Sequence, residues 1–342
     1  MKKHRNIPIF VPHLGCPNTC VFCNQRKISG CEKADFSSVS AEIEEALATI
    51  PANTEVQIAF FGGSFTGIDR ADMIYLLETA KKFIDEGRVE SIRLSTRPDY
   101  ISEEILDILS RYGVKSIELG IQSMDDSVLS ASGRGHTAAQ TEHACSLITS
   151  RGFELVGQMM TGLPSSTLEA ELYTARRICQ MGACGARIYP TVVFRGTELH
   201  SMMERGEYES RDIEQVVNDG ARVLAVFLEN GVNVIRVGLQ SSELLTEGSE
   251  TASPYHEATG ELIYSRFFRD KAEKILSSCD TLGKDATIYV APGDVSKMVG
   301  QKKSNTTYLK EKFSLHDIKI REIGELMQND INIILEERKT GK

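Results

Sequence analysis

Residues 13–25 read HLGCPNTCVFCNQ, with Cys16, Cys20 and Cys23 separated by gaps of three and then two residues. Thiolates are soft ligands that suit zinc or an iron–sulfur cluster. A structural zinc site usually pairs its cysteines as two CxxC units, giving four ligands. Here the first gap is longer and no second CxxC follows, so Cys31 or His13 would have to complete a zinc shell. A cubane cluster instead accepts three protein thiolates and leaves one iron open to another ligand. A second group, FFGGSFTG at 60–67, pairs Gly62 with Gly63. Paired glycines let a ligand approach the backbone closely and expose its polar groups. Alone, such a pair also reads as a tight strand-to-helix turn.

The elements that must carry these groups follow from hydrophobic rhythm. Apolar runs at 7–14, 56–61, 91–96, 116–122, 153–160 and 186–193 read as strands. Amphipathic segments at 40–50, 74–84, 101–113, 137–152 and 167–182 read as helices. Asp69 and Asp72 give the second helix an acidic start, and Ser102 and Gly113 bracket the third as N-cap and C′. Six βα units with near-continuous apolar strands imply a parallel sheet covered by helices, in the form of a partial (β/α)6 barrel. In a parallel array the cysteine loop and the glycine pair end adjacent strands, on the face where barrel sites form. After about residue 195 the rhythm breaks. A helix-like stretch at 212–229 precedes VNVIRVGL, a candidate further strand; 240–260 is loop-like, and a small α/β tail begins near 262. The expected division is therefore a barrel at 1–200, a completing and connecting region at 201–261, and a C-terminal domain at 262–342.

The 342 residues are 25% charged and 41% hydrophobic, with a net charge of −9, as in an ordinary globular protein. An overall acidic chain binds nucleic acid only through a local basic patch. Eight cysteines, of which Cys16, Cys20, Cys23 and Cys31 cluster, are too sparse for a disulfide framework. Cys145, Cys179 and Cys184 read as small buried residues. The start MKKHRNIPIFVPHLG lacks a cleavage site, and no run is long enough to span a membrane. The expectation is a cytoplasmic protein with reduced thiols and no membrane partner.

CxxxCxΦC on the first barrel loop, followed by a glycine pair after the second strand, resembles the radical S-adenosylmethionine (SAM) superfamily. LSTRPDYI (94–101), ELGIQSMDDSVL (118–129), GRGH (133–136), MMTGLP (159–164), RIYPTVVFRGTEL (187–199) and PYHEATGELI (254–263) are similar to the elongator catalytic-subunit family. Several of these also resemble oxygen-independent coproporphyrinogen oxidases. The resemblance implies a 4Fe–4S cluster on Cys16, Cys20 and Cys23, with SAM on the fourth iron. One-electron reduction would then cleave SAM to a 5′-deoxyadenosyl radical that abstracts hydrogen from a substrate. A flavodoxin or ferredoxin would supply the electron. Phe22 matches a position near the adenine. Gly62, Gly63 and Ser64 match the stretch receiving the methionine amino group, with Ser64 replacing the usual acid, so backbone carbonyls would carry that contact. Gln122 and Arg134 match SAM-contacting positions. Gln158 stands where the coproporphyrinogen branch has an aspartate to the ribose, and Ser95 where it has a glutamate. Tyr189 is a pocket residue without an assigned role. His136 and His256 read as hydrogen-bonded structural histidines. The residues after the barrel are too few for the acetyltransferase domain of the elongator family, so a compact relative is expected.

In the tail, TIYVAPGDVSKMVGQKKSNTTYLKEKFSLHDIKI has the strand–helix–loop–helix–strand order of a KH-type nucleic-acid module. Gly300 would open the phosphate-clamping loop, and Lys303 replaces its second glycine. Five lysines between Lys297 and Lys312, among them Lys302, Lys303 and Lys310, face one acid, Glu311. Such a patch suits phosphates, and with the resemblance it points to tRNA modification. The alternatives are a radical SAM enzyme acting on a porphyrin or other small molecule, and a non-catalytic RNA-binding protein with a structural metal.

Overall fold

The computed structural model describes residues 3–11, 20–23, 36–239 and 251–338. Seven parallel strands form one curled sheet in chain order: β1 (Lys3–Val11), β2 (Thr54–Gly62), β3 (Ser91–Thr96), β4 (Val114–Gln122), β5 (Glu154–Thr161), β6 (Gly185–Pro190) and β7 (Asn233–Val237). The result is the expected half-barrel with one strand more than the six βα units imply. VNVIRV supplies that strand, pairing in parallel with β6. Its crossover is the helix Ile213–Glu229, which buries Val216, Ala221, Val223, Leu224 and Phe227.

The strands are not apolar throughout, contrary to the sequence reading. Ile7, Ile9, Val56, Ile58, Phe60, Ile92, Leu94, Ile117, Leu119 and Ile121 alternate along the convex face and are buried. The intervening positions carry Asn6, Gln57, Arg93, Ser95, Glu118, Gln158 and Arg187, so the concave face is a polar lumen. Period-2 alternation survives because helices cover only the convex side.

Side-chain caps start the helices, Ser102 as expected from the sequence and Asp69 as the N-cap rather than a first-turn acid. Asp69 accepts from the amides of Ala71 and Asp72 before Arg70–Asp85, and Ser102 accepts from Ile105 before Glu103–Arg111. Thr137 and Gln140 form a capping box at Ala138–Ser150. The short helices Asp126–Ala131 and Glu198–Glu204 follow β4 and β6 and were not expected from periodicity.

The expected tail boundary near 262 falls inside the helix Thr259–Leu276. This helix serves both parts. Ile263 packs where Gly220 of the barrel helix leaves space, and Asn305 of the tail donates to the Ser265 carbonyl at 2.8 Å. The tail sheet joins β8 (Asp285–Val290) and β9 (Asp317–Glu322) in parallel, with β10 (Ile331–Glu336) antiparallel on the other side of β8. The helices Val295–Val299 and Ser304–Lys312 lie between β8 and β9, in the order read from the sequence. Among the described residues no helix is long and apolar enough to cross a membrane.

Gly157 on β5 lets the helix Leu168–Gln180 approach the sheet: a Cβ there would lie 2.5 Å from the Ile178 Cγ2 methyl. Ile178 is fully buried and has no room to yield. Gly157→Ala should destabilise the protein by about 1–3 kcal/mol in urea unfolding, as core overpacking does.

Candidate functional site

Cys16, His13 and Cys31 lie outside the described residues. Cys20 and Cys23 sit on one turn, closed by the Cys23 amide donating to the Cys20 carbonyl at 3.0 Å. Between them the Val21 amide donates to the Ser132 carbonyl at 3.1 Å, and the Val21 carbonyl accepts from Leu199 at 2.8 Å. The turn is thus pinned to the loop after β4 and to the segment after β6. Cys20 is buried, while Phe22 and Cys23 are half-buried.

Arg134 ties this turn to the sheet. One guanidinium nitrogen, Nη1, donates to Cys20 Sγ at 3.5 Å, and Nη2 donates to the Gly120 carbonyl at 2.7 Å. A Cβ on Gly120 would stand 2.7 Å from Nη2, so any larger residue there would push the guanidinium out of this position. Arg134 is 7% exposed and pairs with no carboxylate among the described residues. Its backbone carbonyl accepts from Arg97 Nη2 at 2.7 Å. Arg97 is itself fully buried, and its charge is matched by a bidentate pair with Asp99.

Two residues on, Gly120 leads to Gln122, at φ 66° in the left-handed region. The β4–β5 register shifts between Gly120 and Gln122, a bulge that re-aims the side chain. The buried Gln122 Oε1 has no hydrogen-bond partner among the described residues. A left-handed non-glycine conformation costs about 1–3 kcal/mol and gathers at functional sites.

At the end of β2, Gly62 has φ 117°, and a Cβ would meet the Val11 carbonyl at 2.4 Å. The Gly63 amide donates to that carbonyl at 2.9 Å, which locks the glycine turn onto the strand leading into the cysteine loop. The Ser64 hydroxyl is engaged with Thr96 Oγ1 at 2.9 Å and with the Arg97 amide at 3.2 Å. A ligand at this turn would therefore meet backbone groups.

Deeper in the lumen, Glu118 is fully buried. Its carboxylate accepts from Arg187 at 2.8 and 3.1 Å and from Gln158 Nε2 at 3.0 Å, and it pairs with Arg93 at 3.5 Å. Gln158 also donates to Ser95 Oγ at 3.5 Å. Gln158 and Ser95 thus form one network with Tyr189, whose phenol bonds Arg187 and is raised above its usual range by burial. Sequence reading did not single out Arg93, Arg97, Glu118 or Arg187. The available signal was polar residues alternating along strands that are otherwise buried.

Cys145 is buried, and burial pushes its thiol up to about 12. Cys184 departs from the expectation of burial: it is exposed, just ahead of β6. His256 caps its own loop, with Nδ1 accepting from the Ala258 amide at 3.0 Å. In the tail, Lys297 is held by Asp294 at 2.8 Å and lies over the Tyr264 ring at 4.6 Å, and Lys312 pairs with Glu273. Lys302, Lys303 and Lys310 are exposed, with no ion pair among the described residues. Lys302 and Lys303 have φ 52° and 65°, so the loop keeps a left-handed turn without a second glycine.

This site fits an anionic thiolate-held cluster. Two of the expected thiols share one turn, and a buried cation without a counter-ion among the described residues points at one of them.

Comparison with known proteins bears on the family. The radical SAM superfamily profile matches residues 10–178, and the radical SAM C-terminal domain profile matches 184–269. Elongator complex protein 3 of Schizosaccharomyces pombe is 32% identical over 155 residues, covering 44% of this chain and 28% of that protein. The Saccharomyces cerevisiae protein of the same name is 26% identical over 266 residues, covering 66% of this chain and 47% of that one. The tRNA uridine(34) acetyltransferase of Methanocaldococcus jannaschii is 30% identical over 206 residues, covering 53% and 37%. The chain therefore spans less than half the length of these curated relatives. Among solved structures, Methanocaldococcus infernus Elp3 with an N-terminal deletion superposes with a TM-score of 0.63 at 19% identity, covering 80% of this chain and 64% of that one.

Two outcomes follow from the charges. Glu118→Gln leaves Arg93 and Arg187 buried without their carboxylate and should cost about 3–5 kcal/mol in urea unfolding. His136 is buried beside Arg134 and Arg97. Burial first, then the two cations, lower its pKa from 6.5 to about 3. Above pH 6.5 the ring is neutral in both folded and unfolded chains. Below it only the unfolded chain takes up the proton, so stability falls progressively between 6.5 and about 3. His136→Asn should flatten the acid limb of apo-protein stability by up to about 1.4 kcal/mol per pH unit, read from urea midpoints across that range.

Proposed function

The chain belongs to the radical SAM superfamily of enzymes, whose cofactors are a 4Fe–4S cluster and SAM, and from that premise we propose that it modifies tRNA. In this reading Cys16, Cys20 and Cys23 hold the cluster. The cluster and SAM supply one-electron cleavage chemistry when bound. The protein's own residues bind and orient. Phe22, Gly62, Gly63, Gln122 and Arg134 surround SAM near the strand ends, while Gln158, Ser95 and Tyr189 line the lumen below. Ser64 acts through its hydrogen bonds to Thr96 and Arg97. A flavodoxin- or ferredoxin-type donor supplies the electron, and the setting is the reducing cytoplasm.

The observation that carries the cofactor reading is the buried Arg134 guanidinium directed at Cys20, a cation that needs an anion at that point. The choice of tRNA rests on similarity to a tRNA uridine(34) acetyltransferase, and on Lys302, Lys303 and Lys310 as a basic patch on an acidic chain. Lys297 belongs to the tail's own packing and adds to RNA contact only through its neighbours.

The test is anaerobic reconstitution with iron and sulfide, then SAM cleavage under dithionite with and without total tRNA, followed by nucleoside mass spectrometry. The expected result is SAM cleavage and a new tRNA nucleoside mass. Absence of SAM cleavage by a loaded protein overturns the enzyme reading; cleavage with no altered nucleoside overturns tRNA as substrate. Replacing Lys302 and Lys303 together with Glu should weaken tRNA binding and lower its salt-dependence slope by about 1 for each phosphate that is no longer neutralised.

A further inference from the structure

We propose that Arg134 sets the reduction potential of the cluster through the Cys20 sulfur, as a positioning residue distinct from any contact it makes to SAM. The inference rests on the reading of Cys20 as a cluster ligand. Its basis is the two-sided anchoring of one buried guanidinium. Nη2 is held by the Gly120 carbonyl at 2.7 Å, on a strand whose glycine leaves just that space. Nη1 is thereby aimed at Cys20 Sγ at 3.5 Å. Nε is buried and has no hydrogen-bond partner among the described residues. The neighbouring Arg97 charge is cancelled by Asp99, so the Arg134 charge stands uncompensated among the described residues. The guanidinium is held by these two contacts in a buried position, and the Arg134 backbone carbonyl accepts from Arg97 Nη2 at 2.7 Å.

A buried cation without a counter-ion is costly in the apo protein and becomes favourable only when negative charge arrives beside it. Three thiolates bring more negative charge than the oxidised core brings positive, and reduction adds one electron. Both the N–H···S hydrogen bond and the fixed positive charge stabilise the reduced, more negative state over the oxidised one. Hydrogen bonds to cluster sulfurs and local charge are known levers on iron–sulfur potentials. Poor solvent access at Cys20, which is 8% exposed, keeps that effect from being screened. The electron that moves is the one the external donor supplies, and no bond is made or broken at Arg134.

The experiment is an EPR-monitored potentiometric titration of anaerobically reconstituted wild type, R134Q and R134K, first without SAM and then with it. R134Q should lower the ratio of reduced to oxidised cluster at fixed ambient potential about tenfold, a shift of about 59 mV for one electron. R134K keeps the charge but loses the fork, and should shift the potential in the same direction by less. A purely structural role for Arg134 predicts lower apo-protein stability with the potential unmoved. Equal potentials in all three proteins, or a shift that appears only when SAM is added, overturns the inference. Should R134Q not hold the cluster, R134K decides by the same criterion. A wild type that loads no iron ends the reading of the cysteine loop itself, whereas loaded proteins sharing one potential end this inference alone.

Discussion

The site depends on a buried positive charge that the described residues do not neutralise. Arg134 spans from the Gly120 carbonyl to Cys20 Sγ, and so joins the sheet to the turn bearing Cys20 and Cys23. The guanidinium occupies the volume that a side chain on Gly120 would take, and Gln122 sits in a left-handed bulge two residues on. Arg97 is sunk in the core with Asp99 to fix the loop from which Arg134 projects. Polar groups arranged this way are costly in isolation and become favourable together with an anion.

The lumen repeats that logic. Glu118 gathers Arg187, Arg93 and Gln158 about one carboxylate that is entirely out of water. Such a network gives the concave face a fixed set of side-chain orientations, because each member's position is dictated by the others. The convex face has no comparable constraint. There the alternating Ile, Leu, Val and Phe residues pack against helices by area and shape. One sheet thus carries two environments, and the strand period of 2 keeps them apart.

Much of this was legible beforehand. Ser102 announces a helix start through local hydrogen bonds alone and caps as read, while Asp69, read as part of an acidic first turn, is itself the N-cap. β3 begins and ends at the residues expected, because Pro98 follows it closely. Other features were hidden for physical reasons. β7 was a candidate strand in the sequence, but that it is the half-exposed edge of the same sheet depends on pairing with β6. β10 likewise exists only through its antiparallel ladder with β8. Cys184 sits at a strand entrance rather than inside a helix, so its exposure follows from where the chain turns. The tail boundary blurred because Thr259–Leu276 buries residues against both neighbours.

What the sequence by itself determined is the local and the periodic: helix caps, strand rhythm, a parallel α/β half-barrel, and three cysteines spaced for a metal centre. These depend on neighbours within a few residues, so they can be read along the chain. Tertiary structure alone decided which polar side chains share the lumen, that Lys297 belongs to Asp294 and Tyr264, and that Arg134 faces Cys20 across 114 positions of sequence. Charges act through space, and their partners are chosen by folding, which sequence spacing does not encode.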